Sequence, residues 1–329
     1  MRITREMLIK LARDTVEKRF KPDPSAIAVF LVGSVLRDEP LLGGATDIDL
    51  LVITKGEPPR EREISKLSNE IHLDILFEAE SLYAKPRELR GDPWRGWTMW
   101  DPLLLHEKGK FFEYTQSSLR AQFDEAANIL ARSRALASPA REAWTMAQLS
   151  GEISLREYLG LVEKAANALA VLSGFPLAER RFLLEFPQRA ALVGLPDLGE
   201  TPLALIGGLE LEPETLRGWL PDWENAFLRA AQTSRDARIH PARLEYYKMA
   251  ILALLDNPTP LAALWPFLNT WSLAAESGAL DAPQQETWQA VQSRLRLDPQ
   301  GLSLRLQGLD HFLDALEEKL DSLSAQYGL

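Results

Sequence analysis

The chain has no cysteine. Disulfides and thiolate metal sites are therefore excluded, and a reducing compartment is the natural setting for such a composition. No apolar run reaches the roughly 18 residues that a membrane-spanning helix needs. The segment up to Phe20 is too charged for a secretory leader, so a cytoplasmic protein without membrane contact is expected. Positive charge is also scarce, with 37 Lys and Arg against 47 Asp and Glu and a formal net charge of -10. A protein that grips long nucleic acid must neutralise many phosphates over a broad basic surface, and this balance argues against that partner. Only a local basic pocket stays open. Histidine occurs four times, and His106, His240 and His311 have no ligand-like spacing to one another. Repeats and low-complexity segments are missing as well.

What is present suits two cores of ordinary size, because 329 residues at 46% hydrophobic and 26% charged are the proportions of a globular chain. Ile3, Met7, Leu8, Leu11, Thr15 or Val16 and Phe20 recur at helical spacing, and Pro22 and Pro24 end that helix. Ala26 to Val32 is a nearly continuous apolar run, read as a buried strand stopped by Gly33. Ser34 then opens a brief turn that cannot outlast Pro40, and Gly43-Gly44 bends the chain into a second strand, Asp47 to Ile53. The period of two along that strand puts Asp47 and Asp49 on one face and Ile48, Leu50 and Val52 on the other. Two carboxylates one pleat apart repel each other, and a shared divalent ion would offset that repulsion. Glu57 to Glu63 reads as a charged turn, Ile64 to Asn69 as helical, and Glu70 to Phe77 as a third strand that carries Asp74 opposite Leu73 and Ile75.

Ser81 to Gly96 is rich in Pro, Arg and Gly, and Trp94, Trp97 and Trp100 follow one another at spacings of three, as in an ordered loop that docks on the core or lines the cleft. Asp101 to Glu113 resembles two short strands around Gly109. Beyond it the pattern turns helical, with breaks expected at Ser138-Pro139, Pro187, Pro221 and further Pro and Gly positions. The clearest helices are Leu155 to Leu172, His240 to Leu255 and Leu302 to Leu323. The expected organisation is an α+β domain over 1–113, a mixed sheet with flanking helices, followed by an all-α domain over 114–329.

Gly33, Ser34, Asp47, Asp49 and Asp74 together resemble the nucleotidyltransferase superfamily of DNA polymerase beta. Its signature is an apolar strand, Gly-Ser, a spacer of about ten residues, Asp-x-Asp in a second strand and a third carboxylate on a neighbouring one. Thr46-Asp47-Ile48-Asp49-Leu50 is close to the family's wording, and Arg37 stands where smaller members carry a basic residue. Asp38, where a Gly is common, and the insert from Pro40 to Gly44 depart from it. The resemblance implies that Asp47, Asp49 and Asp74 hold two divalent ions, Mg2+ by preference, and are the catalytic carboxylates. It also implies that Gly33 and Ser34 hold the terminal phosphates of ATP or another nucleoside triphosphate, with Arg37 beside them.

A catalytic domain followed by a helical one is most similar to the small-molecule, antibiotic-type members, in which the helical half shapes the acceptor pocket. A hydroxyl of a small molecule is then the expected acceptor of AMP. Adenylylation of a partner protein is the enzymatic alternative, and a nucleotide-binding module without turnover is the alternative of another class. A homodimer through the helical half stays open, with no heptad seam visible.

Other residues carry weaker signals. His72 shares a face with Asp74, although a lone strand histidine more often makes a structural hydrogen bond than a metal bond. Arg238, His240, Arg243, Tyr246, Tyr247 and Lys248 form the densest basic and aromatic cluster of the helical half. Arg243, Tyr247 and Lys248 can share a helix face that neutralises phosphates, and Lys248 is taken as a nucleotide-binding candidate; charges on one helix are as often merely solvated. Glu163 and Lys164 lie on a helix that can border the cleft.

Overall fold

Alternation along three strands builds the two faces of one sheet. In the computed structural model, which describes residues 3–329, β1 (Ala26–Val32), β2 (Thr46–Thr54), β3 (Arg62–Lys66), β4 (Ile71–Ala79) and β5 (Leu103–Glu107) lie in the order β3-β4-β2-β1-β5. β2 and β4 run parallel, and the other pairs are antiparallel. Val29 and Leu31 of β1, Ile48, Leu50 and Val52 of β2, and Ile71, Leu73 and Ile75 of β4 all point to the face covered by α1 (Arg5–Arg19) through Leu8, Ala12 and Val16. Thr4 caps that helix, its side chain accepting the Met7 N–H.

The opposite face carries Ala28, Phe30, Leu51 and Ile53 and packs on Tyr83, Leu89, Met99, Leu119 and Phe123. Those residues come from short turns, from α2 (Arg95–Trp100) and from α3 (Phe111–Arg120) with the turn that follows it. On this second face the apolar alternation breaks at one end, where β2 presents Asp47 and Asp49 and β4 presents His72 and Asp74. Thus the period of two read from Asp47 to Ile53 is the one the strand adopts.

Three local expectations are corrected. The stretch read as a charged turn and a helix contains β3, an edge strand; an edge leaves one side open to solvent, where Arg62 and Lys66 are tolerated. The hairpin expected over 101–113 is one strand and a helix start. Phe111, Thr115 and Leu119 recur at helical spacing, and Phe111, Phe112 and Leu119 lie against the second core. The segment read as a docked loop is a series of short turns that puts Tyr83 and Leu89 into the core, but from Arg95 it is the helix α2; Trp97 meets Phe123 edge-on and Trp100 stacks on it, at ring-centroid distances of 5.0 and 4.7 Å.

By contacts, the chain up to Asp124 together with Ala242–Ala250 forms one compact unit, and Glu125–Pro241 with Ile251–Leu329 forms the other. The break placed after residue 113 falls inside α3, because Leu119 and Phe123 complete the core of the sheet. The second unit is helical: α4 (Ala126–Ser150), α5 (Leu155–Ala170), α6 (Phe182–Leu192), α7 (Thr201–Leu205), α8 (Pro213–Ala230), part of α9 (Leu244–Leu255), α10 (Leu264–Glu276), α11 (Ala282–Leu295) and α12 (Pro299–Tyr327).

Pro139, Pro187 and Pro221, read as breaks, lie inside α4, α6 and α8. An interior proline costs a helix about 3 kcal/mol, which packing must offset. α4 buries Leu130, Leu136, Ala137 and Ala140, and Arg141, just past Pro139, bonds Asp310, Asp314 and Glu317 of α12. Among the described residues no helix is long and apolar enough to cross a membrane.

Candidate active site

The parallel register of β2 and β4 sets Asp47 beside His72 and Asp49 beside Asp74, all on one face. Asp47, His72 and Asp74 are buried, and one ligand atom from each lies within 4.8 Å of the others. Two of the three expected carboxylates therefore meet, together with the imidazole of His72 on β4, for which a structural hydrogen bond was the stronger expectation.

Asp49 shares the face, but its carboxylate lies on Gly33. A Cβ on Gly33 would stand 2.0 Å from Asp49 Oδ2, and the backbone there has φ +76°. Both facts demand glycine. Gly33→Ala is expected to displace the Asp49 carboxylate and to cost about 1–3 kcal/mol of stability. A urea titration checks this: the midpoint should fall while the slope stays unchanged.

Ser34 follows in a single 3-10 turn, Gly33–Leu36, and its hydroxyl pairs with Thr46 Oγ1 at 3.2 Å, next to Asp47. Arg37 closes that turn, its N–H donating to the Ser34 carbonyl at 3.0 Å. The turn is too short to carry much of a helix dipole. Any phosphate held here would meet backbone N–H groups and the hydroxyl rather than a helix end.

Arginines hold Asp74. From β3, Arg62 forms a bidentate pair with it, Nε to Oδ1 at 2.6 Å and Nη2 to Oδ2 at 2.8 Å. This follows from register: Ile64 lies opposite Asp74, and Arg62, two residues away on the same face, is its diagonal neighbour. A second guanidinium arrives from far along the chain, Arg243 donating through Nη2 to Asp74 Oδ2. Tyr246, one helical turn on, donates its hydroxyl to Asp47 Oδ2 at 2.7 Å and stands edge-on to the His72 ring at 4.7 Å.

Asp74 and Arg243 are buried, while the Arg62 side chain is 40% exposed. Burial works against the Arg243 charge, and Tyr247, Tyr246 and Asp47 outweigh it, so its pKa stands above the ordinary arginine value despite opposition from Arg62.

Of the basic and aromatic cluster, Ala242–Ala250 joins the sheet unit and brings Arg243, Tyr246 and Lys248 with it. Arg243 turns to a carboxylate, and Tyr246 rather than the fully buried Tyr247 reaches the site. Arg238 is instead paired with Asp236 in the helical unit. Arg62 is the residue that sequence reasoning missed, one of several arginines in a charged stretch whose strand register alone gives it a role.

No curated protein matches the chain. A nucleotidyltransferase-like protein from Exiguobacterium sibiricum is similar in structure over 94% of this chain and 91% of its own, at 13% identity and a TM-score of 0.30. A likeness that distant carries no weight in the assignment. The family model for the nucleotidyltransferase domain matches residues 9–98, a stretch that begins in α1 and takes in β1 to β4 and Asp47, Asp49 and Asp74. That span and the sheet agree with the pattern of Gly33, Ser34, Asp47, Asp49 and Asp74, and this chain carries a nucleotidyltransferase domain at residues 9–98.

Proposed function

We propose that the chain transfers a nucleoside monophosphate, AMP from ATP, to a hydroxyl of a small molecule with release of pyrophosphate. The observation that carries this reading is the juxtaposition of Asp47 and Asp49 on β2 with Asp74 abreast of them on β4, inside a nucleotidyltransferase domain. The donor set fits divalent ions: carboxylate oxygens are the hard ligands that Mg2+ prefers, and the ligand atoms of Asp47, His72 and Asp74 already lie within 4.8 Å of one another. A bound pair of Mg2+ ions would supply Lewis acidity at the attacked phosphorus and charge neutralisation at the leaving pyrophosphate.

The residues divide the remaining work. Asp47 and Asp49 would hold the metal-bound nucleotide. Gly33 leaves the room in which the Asp49 carboxylate sits against the turn, and Ser34 and Arg37 add donors and positive charge for the phosphates. The acceptor oxygen forms a bond to the α-phosphorus as the bond from that phosphorus to the β-phosphate oxygen breaks. The acceptor proton passes to Asp74. An overall charge of -10 favours a cationic acceptor, whose approach it would speed at low salt.

The test begins with thermal shift in Mg2+ against ATP, GTP, CTP and UTP, since a ligand that binds only the folded state raises the melting temperature. ATP should give the largest shift. Pyrophosphate should then appear only when an acceptor and a divalent ion are both present, and chelation should stop it. No shift with any nucleotide would sink the reading.

A further inference from the structure

Both carboxylates that meet at the site are already occupied by one distant segment. Arg243 bonds Asp74 and Tyr246 bonds Asp47, from positions 169 and 199 residues further along the chain. The segment Ala242–Ala250 belongs by contacts to the sheet unit, while the chain on either side of it belongs to the other unit. It is thus an insertion leashed at both ends.

Arg243 is not needed to satisfy Asp74. Arg62 alone engages both of its oxygens. Arg243 also leaves its Nε buried without a hydrogen-bond partner among the described residues, so its resting place does not satisfy its own donors. That combination marks a contact that can be exchanged.

Charge gives the contact its consequence. Asp47, Asp49 and Asp74 contribute three negative charges, and Arg62 and Arg243 two positive ones. A divalent ion at Asp47 and Asp74 would leave the buried cluster with excess positive charge while Arg243 stays, and like charges in a poorly solvated site repel strongly. Tyr246 competes for Asp47 Oδ2 directly, because an oxygen that accepts its hydroxyl proton has one lone-pair direction fewer for a cation.

We propose that Ala242–Ala250 is a built-in plug: Arg243 and Tyr246 hold Asp74 and Asp47 in the nucleotide-free protein, and the segment lets go before a metal-bound nucleotide is seated. The inference rests on the nucleotidyl-transfer reading of this site and adds its regulation. Withdrawal removes one donor from Asp74 Oδ2, which Arg62 still bonds, and one from Asp47 Oδ2 at the same time, because residues three apart carry both.

The full-length wild type, Tyr246→Phe and Arg243→Met are compared for binding of Mn2+ alone, with free Mn2+ counted by electron paramagnetic resonance. Thermal melts establish that each protein is folded. Tyr246→Phe removes only a hydroxyl, and it keeps the test valid should Arg243→Met fail to fold. Each folded variant is expected to bind Mn2+ about tenfold more tightly than wild type. In wild type, the amides of 242–250 should exchange hydrogen faster once Mn2+ and a non-hydrolysable ATP analogue are added.

Binding that is unchanged, weaker or undetectable in the folded variants overturns the plug, since these side chains would then be bystanders or ligands of the nucleotide. Pyrophosphate release is read separately. Tighter Mn2+ binding without release under any nucleotide supports the plug and counts against transfer, whereas release with unchanged Mn2+ binding does the reverse.

Discussion

Asp74→Ala is expected to cost about 3–5 kcal/mol of folding stability and all transfer activity, whereas Asp49→Asn should lose the activity alone. The difference lies in what each carboxylate leaves behind. Asp74 is the partner of two guanidiniums, and they respond unequally to its loss. Arg62 has a side chain 40% exposed and can turn to water; Arg243, at 6%, cannot. Removing Asp74 therefore strands a charge in a desolvated site, which is the costly way to break an ion pair.

Asp49 is only half-buried, and its carboxylate rests on Gly33, where an amide of the same shape also fits. Urea denaturation of the two variants, with pyrophosphate release measured on the same preparations, checks both halves. Arg243→Met in the Asp74→Ala background should recover part of the lost stability, because the stranded charge goes with it. A stable Asp74→Ala protein would show that the arginines do not depend on Asp74.

Much of this site was legible because its information is local. Gly33 ends one strand, and Asp47 and Asp49 alternate along the next; a period of two needs no knowledge of the rest of the chain. Asp74 was legible for the same reason, since its neighbours Leu73 and Ile75 announce the strand and its face. Arg62 was not, because its role comes from β3 lying antiparallel beside β4, and charged residues on an edge strand look like a turn. Arg243 and Tyr246 stood out within a basic and aromatic cluster, yet the sequence placed that cluster in the helical half and pointed Arg243, with Tyr247 and Lys248, at phosphates. Their true partners lie in the sheet unit, a separation no spacing rule spans. The prolines inside α4, α6 and α8 misled for a related reason: a proline's local cost is visible in sequence, but the packing that offsets it is not.

In the helical unit, Glu163→Gln is expected to stabilise the protein by about 1–3 kcal/mol at pH 8 and to leave it unchanged below about pH 4.5. Burial pushes the Glu163 carboxyl up from its ordinary 4.5 to about 7, and Glu179 adds to the rise; Arg156, Arg238 and Lys164 oppose it. The nearby polar groups are committed elsewhere: Arg156 bonds Asn269, Asn269 donates to Glu179, and Arg238 holds Asp236 in a bidentate pair. Folding therefore favours the protonated acid. Below pH 4.5 both the folded and the unfolded chain carry the proton, and the group leaves stability untouched. Between 4.5 and about 7 the folded chain keeps a proton that the unfolded chain has lost, so stability falls as pH rises through this window. Above 7 the full cost of a buried carboxylate is present, trimmed because water reaches part of the side chain. Glutamine keeps the shape and never ionises, so the variant should lose less stability than wild type across that window. Urea midpoints at pH 4, 5, 6, 7 and 8 read the effect directly. Parallel curves for the two proteins would mean that Glu163 titrates as an ordinary carboxylate, and the buried neutral acid would have to be given up.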